Sequence, residues 1–209
     1  MKILVACEFS GIVREAFRKR GHDAWSCDLL PSEIPSPYHI QDDVLNHLDE
    51  GWDMMIAHPP CTHLAVSGAR WFTEGKKDWK LQRDAIEFVK KLMDAPIQRI
   101  AIENPVSVIS TYIRKPDQIV NPYFFGDPVP KKTCLWLKGL PILQPTNIVQ
   151  PEFVIGKRDG KKYSKVHYYT PNMPDRWKIR SRTFQGFANA MADQWGSNFT
   201  LITDYETSE

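Results

Sequence analysis

The sequence predicts an α/β fold in which a mostly parallel β-sheet is flanked by helices. Short apolar runs recur along the chain, amphipathic segments of helical period lie between them, and several runs end in an acidic residue. Runs that are apolar throughout are typical of parallel strands buried on both faces. The chain has 209 residues, enough for a full hydrophobic core, and we expect a single domain over residues 1–209.

The composition is that of an ordinary globular protein and excludes several special classes. Hydrophobic residues make up 42% of the chain, and the net charge of +2 is too small to indicate a polyanion partner by itself. The cysteines form no CxxC pair, which argues against a metal site or a disulfide framework and favours a reducing compartment; they are Cys7, Cys27, Cys61 and Cys134. No apolar stretch is long enough for a signal peptide or a membrane span, so we expect a cytoplasmic protein without a membrane partner.

The first predicted unit is a strand, a turn, a helix and a second strand. An apolar run over residues 2–7 leads into the turn Glu8-Phe9-Ser10-Gly11. Over residues 12–20, the apolar residues Ile12, Ala16 and Phe17 then recur at helical spacing. We expect this helix to turn a charged face to solvent, formed by Arg14, Glu15, Arg18 and Lys19. The loops at the strand ends of such a unit are where open α/β sheets bind ligands.

The second strand, residues 23–28, ends in Asp28. An acid in this place can accept hydrogen bonds from both hydroxyls of a ribose. Glu8 and Gly11 stand at the end of the first strand, where a backbone passes close to a ligand, although a complete GxGxxG pattern is absent. The alternative for Asp28 is a helix-capping or loop acid.

A proline turn with a cysteine at its tip follows the next buried strand. The run Met54–Ala57 leads through His58 into Pro59-Pro60-Cys61. Proline fixes φ and supplies no N–H, so the turn has little freedom and presents the thiol in one direction, as a nucleophile requires. The alternative is a buried structural cysteine. The glycine-bearing, aromatic segment 67–77 then predicts a loop over a site.

The strand predicted over residues 99–105 contains Glu103 close to its end. Because the ends of neighbouring parallel strands lie side by side, we expect Glu103 and Cys61 to face one pocket. An acid at the end of an apolar strand is partly desolvated, which favours its protonated form and makes it a proton donor. Before this strand, residues 78–94 predict an amphipathic helix whose buried face is formed by Leu81, Ala85, Phe88, Val89 and Leu92.

The C-terminal third carries the one basic concentration of the chain. Residues 115–151 are rich in proline and are expected to cover the sheet edge, with strand character over 131–137. Residues 153–169 predict a hairpin whose turn is Asp159-Gly160, and 186–195 a last helix. Clustered basic side chains neutralise phosphates, so we expect nucleic-acid contact, with a solubilising hairpin tip as the alternative; the cluster comprises Lys157, Arg158, Lys161, Lys162, Lys165, Arg176, Lys178, Arg180 and Arg182.

Taken together, these motifs resemble those of the cytosine-C5 DNA methyltransferases, in particular the short members encoded by bacteriophages and prophages. They run in the family's order over residues 3–196. The matching positions are Glu8-Phe9-Ser10-Gly11, Asp28, Asp43-Val44 with Asp42 as a rival, Pro60-Cys61 followed by Ser67-Gly68, Glu103-Asn104, and Gly186–Met191 with Asn189.

The resemblance implies a Rossmann-like methyltransferase fold that uses S-adenosylmethionine, with a small basic hairpin segment, residues 145–180, in place of a full target recognition domain. It implies Cys61 as the nucleophile and Glu103 as the acid that holds the cytosine. The implied cofactor-binding residues are Glu8, Phe9, Ser10, Gly11, Asp28, Asp43, Pro59 and Asn189. The expected contacts to cytosine-containing DNA are Ser67, Arg70, Lys157, Arg158, Lys161, Lys162, Arg180 and Arg182. For a phage protein, the resemblance further implies the host cytoplasm and a role in restriction–modification.

Two departures from the family pattern keep other functions open. Thr62 stands where the family has glutamine, and the Gln-x-Arg-x-Arg motif is missing, with Lys131 and Lys132 in roughly its place. Arg180 and Arg182 are candidates for the missing basic role. The alternatives are methylation of a free cytosine nucleotide or of RNA, and a phage decoy that binds nucleic acid or cofactor without catalysis.

Overall fold

The computed structural model describes residues 1–157, 159–169 and 176–197. Its centre is a seven-stranded sheet made of β1 (Lys2–Ala6), β2 (Asp23–Asp28), β3 (His39–Gln41), β4 (Met54–Ala57), β5 (Arg99–Pro105), β6 (Gln118–Val120) and β7 (Thr133–Lys138). The strand order is β3-β2-β1-β4-β5-β7-β6. The first five strands in this order are parallel, and β7 is antiparallel to both of its neighbours.

Helices pack on both faces of this sheet. The helices of the described residues are α1 (Ile12–Arg18), α2 (Arg70–Thr73), α3 (Trp79–Met93), α4 (Ile109–Tyr112), α5 (Lys165–Tyr169), α6 (Arg176–Ser181) and α7 (Gln185–Trp195). One hydrophobic core joins α1 and α7 to one sheet face, and a second joins α3 to the other. The arrangement confirms the predicted Rossmann-like α/β fold. No helix among the described residues has both the length and the apolar character needed to cross a bilayer.

The strand order reverses between β1 and β4, and this reversal positions the site. In open α/β sheets the crevice outside the carboxyl ends of the strands, at the point of reversal, is the ligand-binding position. In register, Ala6 of β1 pairs with Cys27 of β2 on one side and Ala57 of β4 on the other, and Ala57 pairs with Ile102 of β5. The residues that follow these four therefore emerge side by side.

The prediction for the charged face of α1 is wrong at Arg14, whose side chain is completely buried. Its guanidinium donates to Ser26 Oγ at 2.7 Å, to the Ile34 carbonyl at 2.9 Å and to Glu15 Oε1 at 2.9 Å. A buried charge is tolerated when its donors are satisfied in this way. Arg14 thus fastens the loop after β2 onto the helix after β1.

The buried stripe of α3 is also rotated from its predicted position. Leu81 is 42% exposed, whereas Gln82 is 5% exposed and lies on the stripe with Ile86, Val89 and Leu92. Gln82 Nε2 donates to the carbonyl of His63 at 3.3 Å, which gives this buried amide a partner on the turn that follows β4. A polar tertiary contact therefore sets the helix rotation at its first turn.

The basic segment forms a separate two-stranded sheet of β8 (Phe153–Ile155) and β9 (Lys162–Ser164). The predicted hairpin is confirmed over these strands, but its second arm ends at Ser164, because α5 begins at Lys165. The helical turn places the Tyr168 ring 5.8 Å from that of Tyr163, and the Tyr169 ring 5.4 Å from that of Tyr168.

Candidate active site

The turn after β1 is built around the buried carboxylate of Glu8. This group accepts hydrogen bonds from Val13 N at 2.6 Å, Arg14 N at 3.2 Å and Ser10 Oγ at 3.2 Å, and so caps the start of α1. Burial raises the pKa of Glu8, against the opposing effects of the His58 charge and of these hydrogen bonds. In this structure the carboxylate, predicted to touch a cofactor, holds the turn in shape.

Two residues of this turn have left-handed backbone conformations. Gly11 has φ of 75°, and a Cβ placed on it would lie 2.6 Å from a terminal nitrogen of Arg14. Cys7 has φ of 58°, a conformation that residues with a side chain seldom adopt. The glycine is therefore needed both for its backbone angle and for the close passage of the buried arginine.

A small cleft, with a volume of about 40 Å³, opens over this turn. It is lined by Cys7, Glu8, Phe9, Ser10, His58, Ser181 and Thr183. Helix α6 contributes the last part of the wall, since the ring of Trp177 meets that of Phe9 edge-on at 5.9 Å. The cleft thus lies between the ends of β1 and β4 and is bordered by a segment from far along the chain.

Two of the predicted cofactor acids stand at the ends of the next strands. Asp28 accepts a hydrogen bond from Leu30 N at 2.9 Å, and burial raises the pKa of its carboxyl. Asp43 is exposed and caps the short turn Val44–Asn46 through a 3.0 Å hydrogen bond from Leu45 N. The rival acid, Asp42, binds His47 Nε2 at 3.0 Å. Asn189, predicted to join this set, lies on α7 and accepts from Gln185 Nε2 at 3.1 Å.

Cys61 begins a short 3₁₀ turn, Cys61–His63, immediately after Pro60. The residue is exposed, unlike Cys27 and Cys134, which are buried. The turn is anchored on both sides, because the Pro59 carbonyl accepts from Asn104 Nδ2 at 2.8 Å and the Thr62 carbonyl accepts from Lys77 Nζ at 2.9 Å. The thiol is therefore presented by a braced loop at the edge of the sheet.

Glu103 faces this loop from the neighbouring strand. Its Oε2 lies 3.0 Å from Nδ1 of His58, and the carboxylate is mostly buried. Burial is the largest single influence and raises its pKa, but the hydrogen bond from His58 and the charge of Lys131 together lower the pKa below its ordinary value. The prediction of a protonated Glu103 is therefore wrong for the free protein, because partners from β4 and from the segment before β7 favour the carboxylate.

The charges around the Cys61 thiol oppose one another. Desolvation raises its pKa, and the Glu103 carboxylate raises it further, whereas Lys131 and Arg180 lower it. Lys131 Nζ also lies 3.4 Å from the Arg180 carbonyl. Lys131 reaches this place because β7 runs antiparallel to β5 and pairs Thr133 with Pro105, just beyond Glu103.

The predicted nucleic-acid residues fall into two groups. Ser67 and Arg70 are exposed on the segment beside the Cys61 turn, with the Arg70 guanidinium 4.3 Å from the Trp71 ring centre. Lys157, Lys161 and Lys162 are exposed on the hairpin, and Arg158 lies outside the described residues.

The two C-terminal arginines have different surroundings. Arg180 stands near Cys61, whereas Arg182 makes a two-pronged ion pair with Glu33, with both distances 2.8 Å. Glu33 itself belongs to the loop that Arg14 fastens, and its N–H donates to the Phe9 carbonyl at 2.8 Å. Arg182 therefore ties the C-terminal segment to the wall of the cleft.

Comparison with known proteins gives a match only at the level of structure. No protein-family model and no curated protein matches the chain. Forty-eight chains of solved structures match it, among them a candidate DNA modification methyltransferase encoded within a prophage, from E. coli. That structure superposes with a TM-score of 0.48 and 15% sequence identity, over 71% of this chain and 51% of that one. The chain thus spans about half the length of this neighbour.

Proposed function

We propose that this protein transfers a methyl group from S-adenosylmethionine to C5 of cytosine in DNA through a covalent adduct with Cys61. The observation that most directly supports this proposal is a pair of neighbouring groups. Cys61 is an exposed residue on a braced proline turn, and Glu103 is a mostly buried carboxylate on the adjacent strand. The Glu103 charge acts on the Cys61 thiol, so the two groups share one electrostatic environment. Their position at the strand-order reversal is where a ligand would bind.

The residues at the first two strand ends fit the proposed cofactor. Asp28 stands at the end of β2, where a carboxylate can accept hydrogen bonds from ribose hydroxyls. On the wall of the cleft, His58 Nε2 is a buried polar atom without a hydrogen-bond partner in the described part of the chain. When bound, the cofactor supplies an electrophilic methyl group for C5.

The chain's own residues would act on the cytosine in three steps. Cys61 thiolate forms a bond to C6; the C5=C6 pair shifts to C4=C5, and the C4=N3 pair moves to N3, which takes a proton from Glu103. C5 would then take the methyl group of the bound cofactor: the C4=C5 pair forms the bond to the methyl carbon while the N3 pair restores C4=N3, and the methyl–sulfur bond breaks, so that the demethylated cofactor leaves as a thioether. Finally a base removes the C5 proton, the C5=C6 bond reforms, Cys61 leaves as thiolate, and N3 returns its proton to Glu103.

The basic segment 145–180 is proposed as the reduced recognition element. Lys157, Lys161 and Lys162 would neutralise phosphates, and the exposed rings of Tyr163, Tyr168 and Tyr169 would stack on unpaired bases. A target base inside a duplex must leave the stack to reach Cys61, and Ser67 and Arg70 stand on the segment that would contact the strand around it.

The test is transfer of tritium-labelled methyl groups from the cofactor to duplex DNA, single-stranded DNA, RNA and dCMP in parallel. We expect label in DNA, loss of label with Cys61→Ser, and retained cofactor binding by calorimetry in that variant. Cys134→Ala, at a buried cysteine, is the matched control and should retain transfer. Normal turnover by Cys61→Ser would refute the proposed nucleophile.

Substrate and mechanism are separable in the same experiment. DNA containing 5-fluorocytosine should remain attached to Cys61, because fluorine cannot leave C5 as a cation, and mass spectrometry of peptides would locate the adduct. Label only in dCMP or RNA would contradict the DNA substrate. Absence of label on every acceptor, with binding retained, would indicate the non-catalytic alternative.

A further inference from the structure

The imidazole of His58 lies between the two halves of the site. Its Nδ1 is hydrogen-bonded to Glu103 at 3.0 Å, and the same side chain lines the cleft together with Glu8 and Ser10. Its other nitrogen, Nε2, is buried and has no hydrogen-bond partner among the residues that the structure describes. A buried polar atom without a partner is costly, so a vacant ring nitrogen on a cleft wall indicates a site for a ligand or a proton.

The backbone pairing of the sheet fixes the position of His58. It is the first residue after β4, whose Ala57 is paired with Ala6 on one side and Ile102 on the other. The His58 N–H continues the ladder by donating to the Ala6 carbonyl at 2.9 Å, and the side chain is mostly buried. The ring is therefore fixed beside the next residue of β5, which is Glu103.

The proposed reaction needs a proton where the free protein holds a carboxylate. Addition of a thiolate to C6 places a pair of electrons on N3, which must be neutralised as it forms. The pKa of Glu103 lies below its ordinary value, despite the opposing effect of burial, because His58 and Lys131 favour its charged form. A carboxylate has no proton to give, so Glu103 must first receive one from a neighbouring donor.

We propose that His58 is a positioning residue that acts through Glu103, orienting its carboxylate and supplying the proton that Glu103 passes to cytosine N3. This inference rests on the proposed function and deepens it. Doubly protonated His58 first gives its Nδ1 proton to the Glu103 carboxylate, and the carboxylic acid so formed then gives that proton to N3 as the electron pair reaches it, which leaves neutral His58 with its proton on Nε2 and Glu103 again as a carboxylate. The proton returns along the same path when Cys61 is expelled, so the relay is balanced over one turnover.

Charged groups surround both members of this pair. The ring is faced by Glu103 from β5, Glu8 from the turn after β1 and Asp28 from the end of β2. Glu103 is faced in addition by Lys131 and by the Cys61 thiol.

The first test uses His58→Asn, whose amide can still donate to Glu103 from the Nδ1 position but cannot carry a proton. We expect kcat to fall about 100-fold, within the usual range for proton-transfer catalysis, while KM for DNA stays unchanged. His22→Asn, at the amino end of β2 and away from the carboxyl ends of the strands, is the matched control and should leave both constants unchanged.

The second test needs neither cofactor nor turnover. Ring ¹⁵N chemical shifts of the free protein should show the hydrogen bond between His58 Nδ1 and Glu103, and Glu103→Gln should move the Nδ1 signal because a facing negative charge is removed. The His22 resonance serves as the internal reference, since it should not move in that variant.

The outcomes separate this inference from the proposed function. If the wild-type protein methylates DNA and His58→Asn keeps its kcat, the relay is refuted and the function stands. If no acceptor is methylated, the proposed function fails and the relay with it, even where the ring signals show the hydrogen bond. A His58 Nδ1 signal unaffected by Glu103→Gln overturns the inference in either case.

Discussion

Asn104 Nδ2 donates a 2.8 Å hydrogen bond to the carbonyl of Pro59, so the strand that carries Glu103 also holds the turn that carries Cys61. Asn104 is almost completely buried, and the bond joins residues 45 positions apart in the chain. A proline carbonyl in a rigid turn has few alternative partners, since the turn itself supplies no N–H at Pro59 or Pro60. This contact, together with the Lys77 hydrogen bond to the Thr62 carbonyl, therefore helps to fix the spacing between nucleophile and acid.

Replacement of Asn104 by alanine should lower both stability and methyl transfer. Loss of a buried hydrogen bond that leaves the Pro59 carbonyl unsatisfied costs about 1–3 kcal/mol, and the loosened turn should reduce turnover by a larger factor than cofactor binding. Urea unfolding, calorimetry with the cofactor and the labelled-methyl assay measure the three quantities. Unchanged turnover in a destabilised variant would show that the turn holds its geometry without this contact.

Replacement of Gly186 by alanine should destabilise the fold. The Cβ would overlap the Phe125 carbonyl oxygen, so α7 would have to move away from the segment that precedes β7. Overpacking of this kind costs about 1–3 kcal/mol, which a thermal melt should register as a lower midpoint. Gly68→Ala is the control, because its Cβ would meet nothing closer than 3.8 Å. Equal melting temperatures for the two variants would contradict the close approach at Gly186.

The reactivity of Cys61 toward iodoacetamide should respond in opposite directions to two charge-neutralising variants. Glu103 raises the pKa of the thiol, so Glu103→Gln should lower that pKa and speed labelling near pH 8; Lys131 lowers it, so Lys131→Gln should slow labelling. A pKa change of up to about one unit corresponds to a change in thiolate fraction of up to about tenfold.

Peptide mass spectrometry isolates the labelling rate of Cys61 from that of the other cysteines. Lys138→Gln, at the far end of β7, is the matched control and should have no effect. Changes of the same sign in Glu103→Gln and Lys131→Gln would mean that the thiol does not lie between these two charges.

Neutralising Lys161 and Lys162 should weaken DNA binding mainly through its salt dependence. Each lost phosphate contact reduces the slope of log K against log salt by about 0.9 for duplex DNA, so the double Gln variant should reduce it by up to about 1.8. Fluorescence anisotropy over a salt series provides the slope. Lys90→Gln, on α3 and paired with Glu87 at 2.7 Å, should leave it unchanged. An unchanged slope in the double variant would remove the hairpin from the DNA interface.

Local pattern was sufficient for most of the secondary structure. The apolar runs at β1, β4 and β5, and the strand character predicted over 131–137, correspond to strands in the structure. A strand buried on both faces is apolar throughout, so it can be recognised from its own residues. The proline turn at Pro59-Pro60 was equally readable, since proline restricts its own backbone.

Side-chain environments were less accessible to sequence reasoning. The sequence pattern predicts Arg14 as a surface residue. In the structure it is buried, because its hydrogen-bond acceptors, Ser26 and Ile34, come from the next strand and loop. Gln82, rather than the predicted Leu81, lies on the buried face of α3, because Gln82 Nε2 donates a hydrogen bond to the His63 carbonyl. The direction of the pKa shift of Glu103 was wrong because it depends on His58 and Lys131, which are 45 and 28 positions away in the numbering.

The sequence alone determined where most of the strands and the longer helices lie, and which acids and which cysteine stand at the strand ends, because these follow from the properties of neighbouring residues. Only the tertiary structure decided which of those groups face one another: the His58–Glu103 pair, the Lys131 and Arg180 charges near Cys61, and the capture of Arg182 by Glu33. Electrostatic and hydrogen-bond partners act over a few ångströms. The parallel crossovers and the antiparallel β7 bring residues that are far apart along the chain within that distance.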